Sequence, residues 1–161
     1  MPNICLSCYE IYRDSINEIK SIPYNLDGKD KEYHMCPKNS CTGEIIEVDE
    51  LMLPIIIELN KKGYTTLNCC SGHYYEEIPH CYIMFKKTII FDSLPKEFTY
   101  QKNEPRTTIE NCFGVLNSDS TYIIDKYKNK EDKLYKLILL ANIELLKWVK
   151  KLPKYINEGD K

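Results

Sequence analysis

Four cysteines near the N-terminus, Cys5-Leu6-Ser7-Cys8 and Cys36-Pro37-Lys38-Asn39-Ser40-Cys41, constrain this chain more than any other feature. Two short pairs separated by 27 residues fold into two facing turns. Such turns set four thiolates at the corners of a tetrahedron, the geometry Zn²⁺ prefers. Pro37 inside the second turn and Gly43 just beyond it let the backbone reverse, so that amides point at sulfur. Two disulfides are the competing explanation. The chain opens Met1-Pro2-Asn3 with no apolar signal region, so a reducing, cytoplasmic setting is expected, where eight cysteines favour metal over crosslinks. Four protein ligands leave no position open for a water. One structural Zn²⁺ held by Cys5, Cys8, Cys36 and Cys41 is therefore expected.

That clamp explains how residues 1–48 become ordered, since the stretch is short of large apolar side chains. It also constrains the partner. Residues 1–48 carry five basic residues against eight acidic ones, a net charge of −3. A zinc tetrathiolate adds negative charge, so this ribbon repels a polyanion, and nucleic acid binding through it is not expected. A scaffold or protein-docking surface is the reading. No run approaches the roughly 18 apolar residues of a membrane span. The composition shifts at Val48-Asp49, dividing the chain into a ribbon, 1–48, and an α+β part, 49–161.

In the second part, Asp49 is placed to cap a helix through Leu51, Met52, Ile55, Ile56 and Leu59, stopped by Gly63. Pro54 forfeits one amide bond there, a reason for a later start. Tyr64–Cys70 and His80–Phe85 read as strands, with weaker strand signals at Thr88–Phe91 and Thr108–Phe113. A terminal helix from Glu131 to Leu152 ends at Pro153. Leu134, Leu137, Ile138, Ala141, Leu145, Trp148, Val149 and Leu152 form its apolar arc, and its lysines gather opposite. Residues 126–154 hold nine lysines against three acids. This basic face is either simply solvated or a surface for an acidic protein, RNA or lipid headgroups. Leu140 and Ile143 interrupt it, which implies cover over mid-helix. The expected architecture is α+β: a zinc ribbon packed on a small, mostly antiparallel sheet with two main helices.

The chemistry-bearing segment is Asn68-Cys69-Cys70-Ser71-Gly72-His73. Strand alternation puts Leu67 and Cys69 on the core face and Thr66, Asn68 and Cys70 on the other. His80, Tyr82 and Met84 share a face of the next strand. Adjoining these faces groups Asn68, Cys70, Ser71, Gly72, His73, His80 and Tyr82, with Tyr74 on the rim. Three chemistries stay open. Cys70, His73 and His80 suit a second metal; Cys70 beside His73 suits a thiolate nucleophile; and the Ser71-Gly72 turn, with tyrosines near, suits a ligand pocket. Cys69, Cys81 and Cys112 read as small buried hydrophobes.

The stretch from Val48 to Phe85, with its Gly63-Tyr64 … Cys69-Cys70-Ser71-Gly72-His73 core and Cys81–Phe85 strand, resembles uncharacterised small proteins of phages, plasmids and Gram-positive bacteria that carry a GYxTxxCCxGH element. The resemblance covers about a quarter of the chain. It implies no established activity; a mobile-element origin would fit a sequestering or inhibitory role. The Cys70-Ser71-Gly72 turn is also faintly similar to an element of the wybutosine-synthesising methyltransferase family, which implies a tRNA substrate and S-adenosylmethionine. The expectation is a zinc-binding protein that holds a small, nucleotide-like ligand or a protein partner without catalysis. The alternative is a small enzyme acting on a nucleotide or RNA through Cys70, His73 and His80.

Overall fold

The computed structural model describes residues 1–13, 20–26, 29–73, 79–101, 106–113 and 131–155. The N-terminal part is built on three short antiparallel strands in the order β2-β1-β5: β1 (Asn3–Cys5), β2 (Ile11–Tyr12) and β5 (Ile45–Glu47). Between the two cysteine pairs the chain forms a hairpin of β3 (Lys20–Leu26) and β4 (Lys29–Met35), paired from Lys20–Met35 to Leu26–Lys29. This hairpin has no clear sequence pattern, because its strands carry charged residues and Pro23 where alternating apolar residues would mark one. A bridge from Met35 to Glu44 returns the chain to β5.

The helix α1 (Leu53–Lys61) starts later than Asp49, with Pro54 in its first turn, where a missing amide costs nothing. The expected side-chain cap is corrected: Asp49 accepts the Met52 and Leu53 amides through its backbone carbonyl, and its carboxylate turns elsewhere. The other end follows the sequence. Gly63, at φ +90°, donates to the Asn60 carbonyl, and Tyr64 donates to that of Leu59, the paired bonds that close a helix on a glycine.

Four antiparallel strands form the main sheet, β6-β7-β9-β8: β6 (Thr66–Cys70), β7 (His80–Phe85), β8 (Thr99–Tyr100) and β9 (Thr108–Cys112). Cys81, Ile83 and Phe85 of β7 and Ile109 of β9 are fully buried against α1 and the terminal helix α2 (Glu131–Lys151). The core residues of α2 are the predicted arc, with Leu145 and Val149 fully buried. Lys62 ties the helices together: its ammonium donates to the carbonyls of Val149, Lys150 and Leu152 at 2.9, 2.9 and 2.7 Å, satisfying the open C-terminal end of α2. Ile4 and Val48 belong to this same core, so the ribbon packs directly on the α+β part.

Three local expectations differ. Thr88–Phe91 is not a strand; its backbone is held by side chains instead, Thr107 Oγ1 bonding both ways with Ile89 and Tyr100 Oη accepting from Phe91. Leu140 and Ile143 stay exposed, so mid-helix is not covered on that side. The face assignment in β6 holds only in part: Cys69 packs against the main core, but Thr66, expected on the other face, is fully buried, and the register slips between Thr66 and Asn68. No helix among the described residues is long and apolar enough to cross a membrane.

Candidate metal centre

Each cysteine of the first group is positioned by a turn that aims backbone amides at sulfur. Ser7 and Cys8 donate to Cys5 Sγ at 3.4 and 3.5 Å, and Gly43 donates to Cys41 Sγ at 3.4 Å. Tyr9, in the left-handed region at φ 62°, ends the first turn, its amide bonded to the Cys5 carbonyl. Gly43 is required by space as well: a Cβ there would lie 2.5 Å from Cys5 Sγ and 2.6 Å from the Ser7 side chain. The four sulfurs lie within 4.8 Å of one another. Cys5–Cys41 and Cys8–Cys36 are 3.5 and 3.8 Å apart. Four sulfurs at about 2.3 Å from a tetrahedral ion would be about 3.8 Å apart, so the arrangement fits a metal of that size. None of the eight cysteines is in a disulfide.

The cluster is electrostatically uneven. Burial pushes the Cys5 thiol up to about 12 against the pull of two amides. Burial also raises Cys36, but the hydrogen bond from Tyr12 and the Lys38 amide outweigh it and bring that thiol down to about 7. Tyr12 Oη lies 3.2 Å from Cys36 Sγ, an outer partner that the sequence did not single out.

A second group forms where β6 ends. The ligand atoms of Asp49, Cys70 and His73 lie within 4.8 Å of one another. Asp49 Oδ2 accepts the Ser71 amide at 2.8 Å and the Ser71 hydroxyl at 3.0 Å, and it faces His73 Nε2 at 3.6 Å. Asn142 of α2 donates to the Ser71 carbonyl at 2.9 Å, locking the turn from the other side. Gly72 sits at φ +92°, and a Cβ there would lie 2.9 Å from the Phe113 ring. Ser71 is only 4 % exposed. Both residues are buried, and the polar groups of Ser71 are bonded to Asp49 and Asn142. His73, with a side chain 25 % exposed, is the residue of this turn that reaches solvent.

His80 does not join Cys70 and His73; its ring stacks on Tyr82 at 5.1 Å and 14°. Residues i and i+2 of one strand share a face, so the two rings are natural neighbours. Tyr82 lies opposite Cys70 in the ladder, and Asn68, exposed, lies opposite Met84. Tyr74 lies outside the described residues. Asp49 is the residue that sequence reasoning missed as a site member, because nothing in local spacing links position 49 to position 70. The flanking thiols are held in their neutral form: burial, with the Asp49 charge behind it, pushes Cys69 up to about 12, and burial raises Cys81 well above the usual range. No family model, curated protein or solved structure matches the chain.

Proposed function

We propose that this chain is a small zinc-stabilised binding protein. One Zn²⁺ on Cys5, Cys8, Cys36 and Cys41 fixes the ribbon, and the corner made by Asp49, Cys70 and His73 receives a ligand or partner without catalysis. The observation that carries this reading is the construction of the turn. Ser71 and Gly72 are buried and committed to Asp49, Asn142 and Phe113, while His73 is held at the surface beside a buried carboxylate. Such a rigid corner with one accessible polar side chain suits recognition. The raised Cys69 and Cys81 thiols are poor nucleophiles and add nothing to an enzymatic reading.

The second reading, an enzyme acting on a nucleotide or RNA, is favoured by one fact: Cys70, His73 and Asp49 lie close enough for a thiol, an imidazole and an orienting carboxylate to work together. His80, stacked on Tyr82, is no part of that group. Native mass spectrometry of the protein purified from its own host tests the binding reading. A retained molecule that is lost from His73→Ala supports it; equal retention by both ends it. Alkylation by iodoacetamide separates the classes, since uniformly slow thiols outside the ribbon fit binding and one fast thiol at Cys70 fits catalysis.

A further inference from the structure

Cys70 is built into the chain in the manner of a ribbon cysteine. Cys5 and Cys41 each accept the amide of the residue two positions on, Ser7 and Gly43, both at 3.4 Å. Cys70 Sγ accepts the amide of Gly72, also two positions on and also at 3.4 Å. An amide aimed at sulfur favours the thiolate, the form that ligates metal. In each turn serine or glycine stands two positions after the cysteine, so the backbone can curl over the sulfur.

The other two groups complete a mixed donor set. Asp49 Oδ2 and His73 Nε2 are 3.6 Å apart. An oxygen and a nitrogen each bound at about 2.0–2.1 Å to a tetrahedral Zn²⁺ would be about 3.3–3.4 Å apart, so only a few tenths of an ångström of closure is needed. All three ligand atoms fall within 4.8 Å of one another. The Ser71 amide and hydroxyl both donate to Asp49 Oδ2, fixing the orientation of the carboxylate beside His73. Charge favours the same occupant. A thiolate and a carboxylate cancel the charge of a divalent ion, and a neutral imidazole adds none. An ion therefore relieves the burial of Asp49 and Cys70 where an anionic ligand would aggravate it.

We propose that Asp49, Cys70 and His73 form a second divalent-metal site, of the Zn²⁺ class, distinct from the four-cysteine site and left with one coordination position open on the solvent side of His73. Sulfur, nitrogen and oxygen donors in one tetrahedral set select Zn²⁺ over Mg²⁺ or Ca²⁺, which take oxygen. The inference rests on the reading of this corner as the binding site and names a cation as what binds there.

The test is metal stoichiometry of the full, reduced chain, dialysed against Zn²⁺ at a chelator-buffered concentration and measured by elemental analysis. Wild type is expected to hold two equivalents, and His73→Ala and Cys70→Ser one. Cys8→Ser is expected to lose the ribbon equivalent and to hold the second more weakly, because the residue before Asp49 is bonded to the ribbon. Ser71→Ala should weaken the second equivalent about 10–100-fold, the usual cost of an outer-shell partner. His73 is partly exposed, so its replacement leaves the fold intact, which circular dichroism checks. One equivalent in wild type at saturating Zn²⁺, or two in both His73→Ala and Cys70→Ser, overturns the proposal. If wild type holds one equivalent but still carries a host molecule that His73→Ala loses, the metal inference falls and the binding reading stands. If His73→Ala matches wild type in both respects, both fall.

Discussion

Gly72→Ala is the sharpest probe of the second turn, because two separate costs can be worked from its surroundings. The first is backbone strain. At φ +92° an L-residue is outside its comfortable regions, at about 1–2 kcal/mol. The second is contact. The new Cβ would lie 2.9 Å from Phe113 Cε2 and 3.4 Å from Ile138 Cγ1. Carbon atoms prefer about 3.5–4.0 Å, so the ring must retreat within a packed core, at about 1–3 kcal/mol. Alanine restricts the unfolded chain and returns about 0.4–1 kcal/mol. The net loss is about 2–4 kcal/mol. With a urea slope of about 2 kcal/mol/M, the middle of the usual range, the unfolding midpoint should fall by about 1–2 M. The companion measurement uses Phe113→Leu, which removes the obstructing ring edge. In that background Gly72→Ala should still cost the backbone share less the unfolded-chain return, about 0.5–1.5 kcal/mol. A midpoint within error of wild type would refute the reasoning, as would a cost that vanishes entirely beside Phe113→Leu. A glycine kept for ligand approach alone would show neither loss.

Four other outcomes follow from the same geometry. Gly43→Ala drives a methyl group into Cys5 Sγ and Ser7, so chelator competition should find the ribbon metal much more weakly held than in wild type. Lys62→Met strips three carbonyls at the end of α2 of a charged donor and should cost about 2–3 kcal/mol in urea unfolding, with Lys62→Arg recovering part. Trp148→Ala empties a buried site where the ring meets Phe91 edge-on at 4.9 Å, at roughly 3–5 kcal/mol; Trp148→Phe, which keeps an aromatic ring but loses part of the indole's bulk and the donor to the Ser93 carbonyl, should cost less, about 1–3 kcal/mol. Chelation at the four cysteines should speed amide exchange in β1 and β5 more than in β7 and β9, whose buried residues also pack on α1 and α2.

What the sequence made legible is what depends on short spacings. Two cysteine pairs, the apolar arc of α2, the alternation of His80–Phe85 and the stop at Gly63 each rest on residues a few positions apart, and each is found in the structure. What it concealed depends on register and tertiary approach. The register slips between Thr66 and Asn68, and Thr66 is fully buried although the alternation put it on the face of exposed Asn68. The charged β3–β4 hairpin has pairing without an apolar pattern to announce it. His80 looked available for Cys70 because both stood on adjoining faces, yet an aromatic neighbour two residues away on its own strand claims the ring.

Asp49 shows why the concealed part matters most. The Val48 amide is bonded to the Pro2 carbonyl at 2.9 Å, so the residue before Asp49 is fixed by the ribbon sheet. The Asp49 carbonyl takes the Met52 and Leu53 amides at 2.9 and 3.2 Å, so its own backbone starts the turn into α1. With the backbone occupied on both sides, the side chain is spared from capping and reaches 22 residues along the chain to Ser71. The junction between ribbon and helix is thereby also the floor of the Cys70–His73 corner. A metal held by the four cysteines would consequently bear on the position of the Asp49 carboxylate. Since Ile4 and Val48 are buried in the same core as α1 and β7, the ribbon cannot shift without disturbing what holds that carboxylate. A four-thiolate centre with no open position has no chemistry of its own to offer, but it fixes one of the three groups on which any chemistry or binding at Cys70 and His73 depends.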